Sequence, residues 1–521
     1  MHELSDSQFL DLLAQRSIQI SLRDGRLHVS APRGTVDPHL HAELARRKPY
    51  LLKALQAADA APRPNALGPM PRDGKIPQTH AQQGIWLIDH FAPGNVAYNI
   101  PQAFAVEGAI DPQILQAAVD RVLARHESLR TFFYEDEGDL LQAVSNDAPA
   151  HLGFTDMSGI AVPDQDRELD RLIRGLSQQP FDLEHPPLVQ FHLFRLANER
   201  HVIFFNIHHI IADARSLIIL RKELAAFYEA IVRNQTAALP VLSIQYPDYA
   251  IWADRQLSGN AMARHLEYWK QKLAGAPPYF ELSLSRPYPE QRTAWGDTVS
   301  IVIPQSVHDA LNGIARQEGA TLFMLLLAAF AILLHHHSGK EDFCLGSPFT
   351  YRKQVETESL IGLFVNMIVL RCQLDGRQNF REFLRRVRTT ALEAYEHGEL
   401  PFQELARALK PDLRSRRSPL FQIMFAFDAD NGSRSDEMAQ LDINPGTAKY
   451  DLTLQLHETP EEISGWFEYC TDLFDAAAVE QLSAQFLSLL GQIARQPDQP
   501  IAAMEAQAST AAPPGNAAPR A

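Results

Sequence analysis

Two apolar runs lie close together in the first half of this sequence. Leu188 to Leu196 is followed, after five residues, by Val202-Ile203-Phe204-Phe205-Asn206-Ile207-His208-His209-Ile210. Both read as strands. The second hardly alternates, so it belongs at the centre of a sheet that is covered on both faces. That requirement calls for helices on either side, and the sequence has them. Asp111-Pro112 is a helix start, an N-cap followed by proline at the first helical position, and Ile114, Leu115, Ala118, Val119, Val122 and Leu123 form one apolar stripe behind it. A second set of strands and helices begins near Val299 and runs to about residue 500. The fold class is therefore α/β, with two lobes, 77–260 and 261–505, and a cleft between them of the kind where sites form.

Outside these lobes the composition changes. Residues 59–76 are rich in Pro, Ala and Gly without hydrophobic period and read as a linker, and 506–521 reads as a flexible tail. Residues 1–58 form a small αββαα unit. Ser5 to Gln8 is a capping box before Phe9, Leu12 and Leu13, and Ile18, Ile20 and Leu22 alternate up to an Asp24-Gly25 turn. Leu27 and Val29 alternate after it, and a helical stretch from Asp37 to Leu55 should kink or split at Pro49. This unit has eight Lys and Arg against six acids, in a chain whose net charge is −15. Its basic helix carries Arg46, Arg47 and Lys48, and with the open hairpin edge it suits an extended acidic peptide.

The negative balance of the whole chain argues against nucleic acid as a partner. The N-terminus has no apolar signal segment, and the longest apolar run, Leu322 to Leu334, is short for a membrane span and reads as a buried helix. Both point to a cytoplasmic protein away from membranes. Cys344, Cys372 and Cys470 fit neither a redox pair nor a zinc site and read as reduced structural thiols. His335, His336 and His337 precede Gly339 and read as a helix C-terminus with its cap, so no metal is expected.

The chemistry concentrates in Asn206-Ile207-His208-His209-Ile210-Ile211-Ala212-Asp213. The two adjacent histidines stand at the end of the buried strand, whose period of two sends them to opposite faces, one to a cavity and one to the core. Asp213 follows just beyond, where its carboxylate can hold an arginine and stiffen the turn. A positioned imidazole there can act as base or hydrogen-bond partner in acyl transfer; the alternative is a core pair satisfied by backbone.

The motifs around this segment resemble those of the condensation domains of non-ribosomal peptide synthetases, over roughly 77–500. Thr79-His80-Ala81-Gln82-Gln83-Gly84-Ile85-Trp86 is similar to the family's SxAQxRLW, with Gly84 where arginine is usual, and Tyr98-Asn99-Ile100-Pro101 follows. Arg125 to Phe133 matches RHExLRTxF, and His208 to Asp213 stands at HHxxxDG. Tyr246 to Trp252, Ile361 to Asn366, His397 to Phe402 and Arg417 to Gln422 match the later motifs in the family's order. The resemblance implies a chloramphenicol-acetyltransferase-like pseudo-dimer with a tunnel between lobes. Through it, phosphopantetheine arms of donor and acceptor carrier proteins would meet and an amide would form, with no cofactor bound to the chain itself. It implies a catalytic role at His209, which would orient or deprotonate the amine or hydrogen-bond the tetrahedral intermediate. His208 would pack beside it, and Asp213 would pair with Arg352, or with Arg371 as second choice. Two departures stand out: Ala214 replaces the motif's last glycine, which is mild only at negative φ, and Arg215 replaces an aromatic near the tunnel mouth. Residues 1–58 resemble tubulysin-type docking domains, which implies an upstream synthetase subunit whose C-terminal tail binds here. A recruitment module without catalysis, a free-standing or ester-forming acyltransferase and an epimerase are the competing readings.

Overall fold

The computed structural model describes residues 19–23, 26–30, 43–44, 46–48, 50–52, 66–72, 74–256, 260–282, 284–290, 292–409, 417–428, 439–459 and 462–504. They fall into two units, Met1–Ala66 and Leu67–Ala521. In the first, strands Gln19–Arg23 and Arg26–Ser30 pair antiparallel, with Arg23 opposite Arg26. Residues 43–44, 46–48 and 50–52 are helical, and Leu44 and Leu51 are buried. The expected first helix, the turn at 24–25 and position 49 lie outside the described residues.

The second unit is built on two large sheets. One has the order Ala439–Leu441, Asn99–Glu107, Arg200–His208, Val189–Ala197, Leu152–Asp156. Its middle strand is the uninterrupted apolar one, and the packing explains the missing alternation. Ile203, Phe205 and Ile207 enter one core with Leu115, Val119, Val122 and Leu220, from helices Pro112–Arg125 and Ala214–Val232. Val202 and Phe204 enter another with Leu169 and Ile173, from helix Val162–Ser177. Both side-chain sets of the strand are therefore buried under helices.

The other sheet has six strands, in the order Gly296–Ile303, Ile463–Cys470, Leu452–Glu458, Ile423–Asp428, Asp342–Thr350, Val365–Gln373. Its central support is helix Leu322–Ser338, whose residues 322 and 324–334 are all buried. Thr321 caps its start, accepting from the Met324 N–H, and Gly339, at φ 65°, ends it in the left-handed conformation. Among the described residues no single helix is long and apolar enough to cross a membrane, and no group of His, Cys, Asp or Glu is placed to hold a metal ion. All three cysteines are free and buried, and burial pushes the Cys344 thiol up to about 12.

Two differences from the sequence reading concern boundaries. Residues 67–72 and 74–76, within the stretch 59–76 expected to be linker, do not behave as linker. Leu67 is buried beside Ile244 and Tyr246, Ile76–Pro77 pairs with Leu141–Gln142, and Asp248 accepts from the Met70 N–H at 3.0 Å and from Arg72 at 2.8 and 3.1 Å. A proline-rich stretch lacks period but still offers a few apolar and charged anchors, and those decide its placement. The second difference is the edge strand Ala439–Leu441, which comes from the later half and pairs with Ala103–Ala105 of the earlier one.

Candidate active site

The apolar strand ends at His208, and the next three residues, His209–Ile211, form one 3-10 turn. The expectation that both histidines sit on the strand is thus corrected: His209 has left it. Their surroundings still differ, now because of the turn. His208 is 2% exposed, packs against the rings of Phe181 and Tyr98 at 6.1 and 6.5 Å, and its Nδ1 accepts from the Ile210 N–H. His209 is half-buried, and its Nδ1 lies 2.8 Å from the Ala212 carbonyl. A carbonyl only accepts, so Nδ1 carries the proton and Nε2 keeps its lone pair. Burial first, and the Lys449 ammonium second, hold the His209 pKa down to about 4; burial, His209 and Lys449 hold His208 at about 3. Both rings are neutral at pH 7.

Asp213 caps helix Ala214–Val232 and at the same time ties the two halves together. Its Oδ1 accepts from the Ser216 N–H at 2.8 Å and from Arg352 Nη2 at 2.9 Å, while Oδ2 accepts from Arg352 Nε and the Phe364 N–H, each at 3.2 Å. The two side chains are 3% and 7% exposed, so this ion pair is shielded from water. Arg352 also donates to the carbonyls of Thr357 and Leu360, and its guanidinium stacks 4.1 Å over Phe364. Arg371, the second choice, is occupied elsewhere: it forms a fork with Asp342 at 2.6 and 2.9 Å. Ala214 is the first residue of the helix and has no positive φ, so alanine is unstrained where the glycine is usual. Ala214 and Arg215 are both exposed.

The outlying motifs brace this turn. Gln82, held by its capping box with Thr79, donates to the Ile210 carbonyl at 3.2 Å. The Tyr246 hydroxyl lies 3.2 Å from Thr79 Oγ1 and donates to the Leu363 carbonyl at 2.7 Å. Ser216 Oγ accepts from the Gly362 N–H at 3.0 Å, and a Cβ at Gly362 would fall 2.0 Å from the Tyr246 ring. At Gly84, where arginine is usual, the side chain of Gln403 lies against the backbone; a Cβ there would meet its amide nitrogen at 2.0 Å. Asn366 donates to the carbonyls of Gly398 and Leu400, fixing the 397–402 loop to the second sheet.

Lys449 is a residue the sequence reading missed. A single lysine between apolar strands has the signature of a surface residue, yet this one is turned inward, its Nζ 5.6 Å from the centre of the Tyr98 ring. The basic residues of the first unit are partly engaged. Arg46 and Arg47 each donate to Glu43 at 3.0 Å, Arg47 is 9% exposed, and Arg46 and Lys48 are exposed.

The condensation domain model matches residues 72–511, and the TubC N-terminal docking domain model matches 7–57. The chain is 40% identical over 441 residues to one of the proteins that make up linear gramicidin synthase in Brevibacillus parabrevis, covering 83% of this chain and 8% of that protein. It therefore spans less than a tenth of that relative's length. Among solved structures it is similar to the X-domain from teicoplanin biosynthesis, with TM-score 0.77 and 25% identity over 84% of this chain and 99% of that one. It shares the fold of the first condensation domain of the calcium-dependent antibiotic synthetase, with TM-score 0.72 and 20% identity over 84% and 99% of the two chains. A shielded Asp–Arg bridge beside a neutral, backbone-oriented histidine, on this two-sheet fold and under a family model spanning both sheets, leads to one assignment: the chain belongs to the condensation domain family, with a TubC-type docking domain ahead of it.

Proposed function

We propose that this chain forms an amide between a donor acyl or peptidyl thioester and an acceptor aminoacyl thioester. Each would arrive on the phosphopantetheine arm of a carrier protein, through a tunnel between the two halves. The observation that carries the reading is the His209 tautomer: Nδ1 donates to Ala212, and Nε2 is left as an acceptor. In the reaction the amine nitrogen attacks the thioester carbon, the C–S bond breaks, and the amine proton ends on the departing sulfur. An imidazole with its pKa near 4 is a weak base. It accepts a hydrogen bond from the neutral amine and so aims the nitrogen lone pair. It takes the proton once the nitrogen has gained positive charge in the tetrahedral adduct, and returns it to the sulfur. Positioning of two tethered reactants supplies much of the remaining acceleration. Asp213 and Arg352 hold the turn in place and take no part in proton transfer.

Residues 1–58 would bind the C-terminal tail of an upstream synthetase subunit, so that the donor comes from another chain in the cytoplasm. The test is to supply acyl-loaded donor carrier and aminoacyl-loaded acceptor carrier and to follow the acceptor by intact-protein mass. A gain of the acyl mass that disappears in His209→Ala supports amide transfer. A second reading is favoured by one of the structural relatives, the X-domain in complex with OxyB, at TM-score 0.76. On that reading the chain recruits another protein and leaves both carriers unchanged, and an unchanged acceptor mass with active carriers would select it.

A further inference from the structure

The loop that carries Lys449 is fixed by the second sheet. Arg292 donates to the carbonyls of Ala448, Lys449 and Tyr450 at 3.2, 3.3 and 2.6 Å, and Glu468 accepts from the Lys449 N–H at 3.3 Å. Its side chain crosses to the first half. There the ammonium lies over Tyr98, whose ring also packs against His208, and Asn99 next to it pairs with His208 in the sheet. Among the described residues no acceptor is hydrogen-bonded to Nζ and no carboxylate forms an ion pair with it; Glu468 bonds the backbone of Lys449, not its ammonium. A half-buried cation is thus held beside the histidine turn from the opposite half, with a ring beneath it and its charge incompletely answered.

We propose that Lys449 is a positioning residue for the amide-forming step, an ammonium that keeps further positive charge away from His209 and from the incoming amine, so that the amine reacts as its free base. The inference rests on the function proposed above. A cation in a medium of low polarity raises the free energy of any second cation nearby, and an amine is a nucleophile only when unprotonated. The groups facing the site are few. His208 and Asp213 flank His209 on its own segment, and the Asp213 charge is engaged by Arg352. From the other half come Lys449 and, behind it, Glu468, Arg292 and the hydroxyl of Tyr450; the Tyr98 hydroxyl belongs to the first half. Burial lowers the pKa of Lys449 and Glu468 raises it, while burial raises that of Glu468.

Three variants of the full chain, Lys449→Met, Lys449→Arg and Glu468→Gln, test this with two readouts. The first is the pH titration of the His209 ring nitrogens by NMR, assigned by their loss in His209→Ala, which needs no substrate. The second is amide transfer between the two loaded carriers as a function of pH. In Lys449→Met the His209 midpoint should rise by about one unit, and the acid limb of kcat, which reports the bound complex, should move to higher pH as well. Lys449→Arg should keep both near wild type. Glu468→Gln, which keeps the lysine and removes its counter-charge, should shift the midpoint the opposite way, and it serves as the decisive variant if Lys449→Met does not fold. A folded Lys449→Met or Glu468→Gln protein with an unmoved His209 midpoint overturns the proposal. A midpoint that moves as expected in the variants, while the wild-type chain makes no amide at any pH, defeats the amide-forming reading and leaves the influence of Lys449 on His209 standing.

Discussion

At His209 the proton on Nδ1 settles what Nε2 can offer, and the carbonyl of Ala212, three residues on, holds that proton in place. His209→Ala removes the acceptor without touching the core, so transfer should fall by about 10²-fold or more at an unchanged melting temperature. His208 plays a different part. It is buried neutral, with a pKa near 3 against about 6.5 when unfolded, so its contribution to stability is complete above pH 6.5 and is lost as pH falls toward 3. Between pH 7 and pH 5 this one group should lower the unfolding free energy by about 2 kcal/mol. The expected outcome is that His208→Leu loses less of its melting temperature over that interval than wild type does. At this scale the motif was legible in the sequence, but the reason for the histidines' difference was not. Strand period assigned them to opposite faces, whereas His209 has already turned off the strand. Where a strand stops is decided by what the turn can hydrogen-bond, and Gln82, more than a hundred residues earlier, supplies one of those bonds. Lys449 was illegible for a similar reason. Its inward direction comes from Arg292 and Glu468 gripping the backbone on either side of it, a long-range effect without local pattern.

Between elements, the helix Ala214–Val232 begins on the carboxylate that also receives Arg352. Removing that carboxylate leaves a guanidinium shielded from water without its partner, at a cost of about 3–5 kcal/mol, and the lost cap adds about 1 kcal/mol. Asp213→Ala should therefore give low-melting or insoluble protein, not a soluble enzyme with a simple kinetic defect; thermal unfolding of the soluble fraction reads this. The two glycines of the flanking motifs should part company in the same assay. Gly84→Ala presses only on the end of the Gln403 side chain, which can swing away, and should cost less than about 1 kcal/mol. Gly362→Ala drives a methyl into the buried Tyr246 ring and should cost several times more. The central place of the apolar strand followed from its composition, since a strand without alternation has to be covered on both faces. The three-residue edge strand Ala439–Leu441 did not, because so short a segment carries no period at all.

For the whole molecule, residues 1–58 lie within a unit of their own, Met1–Ala66, so their removal should matter through encounter and not through folding. Without them, transfer should be unchanged when donor carrier is in excess and slower when it is limiting, because the local concentration of donor is lost. Equal rates at limiting donor would argue against a docking role. The charge asymmetry that led to this expectation was plain in the sequence. What it could not show is that Arg46 and Arg47 share Glu43, which leaves Arg46 and Lys48 as the outward-facing part of that helix. The edge strand contributed by the later half has a bearing on recombination between relatives. A chimera joined near position 260 would inherit its first sheet from one parent and that sheet's bordering strand from the other, along with the arginine for Asp213 and the lysine over Tyr98. The halves are therefore heritable only as a matched pair, and a productive crossover belongs outside both of them, in the stretch before Leu67 or after Met504.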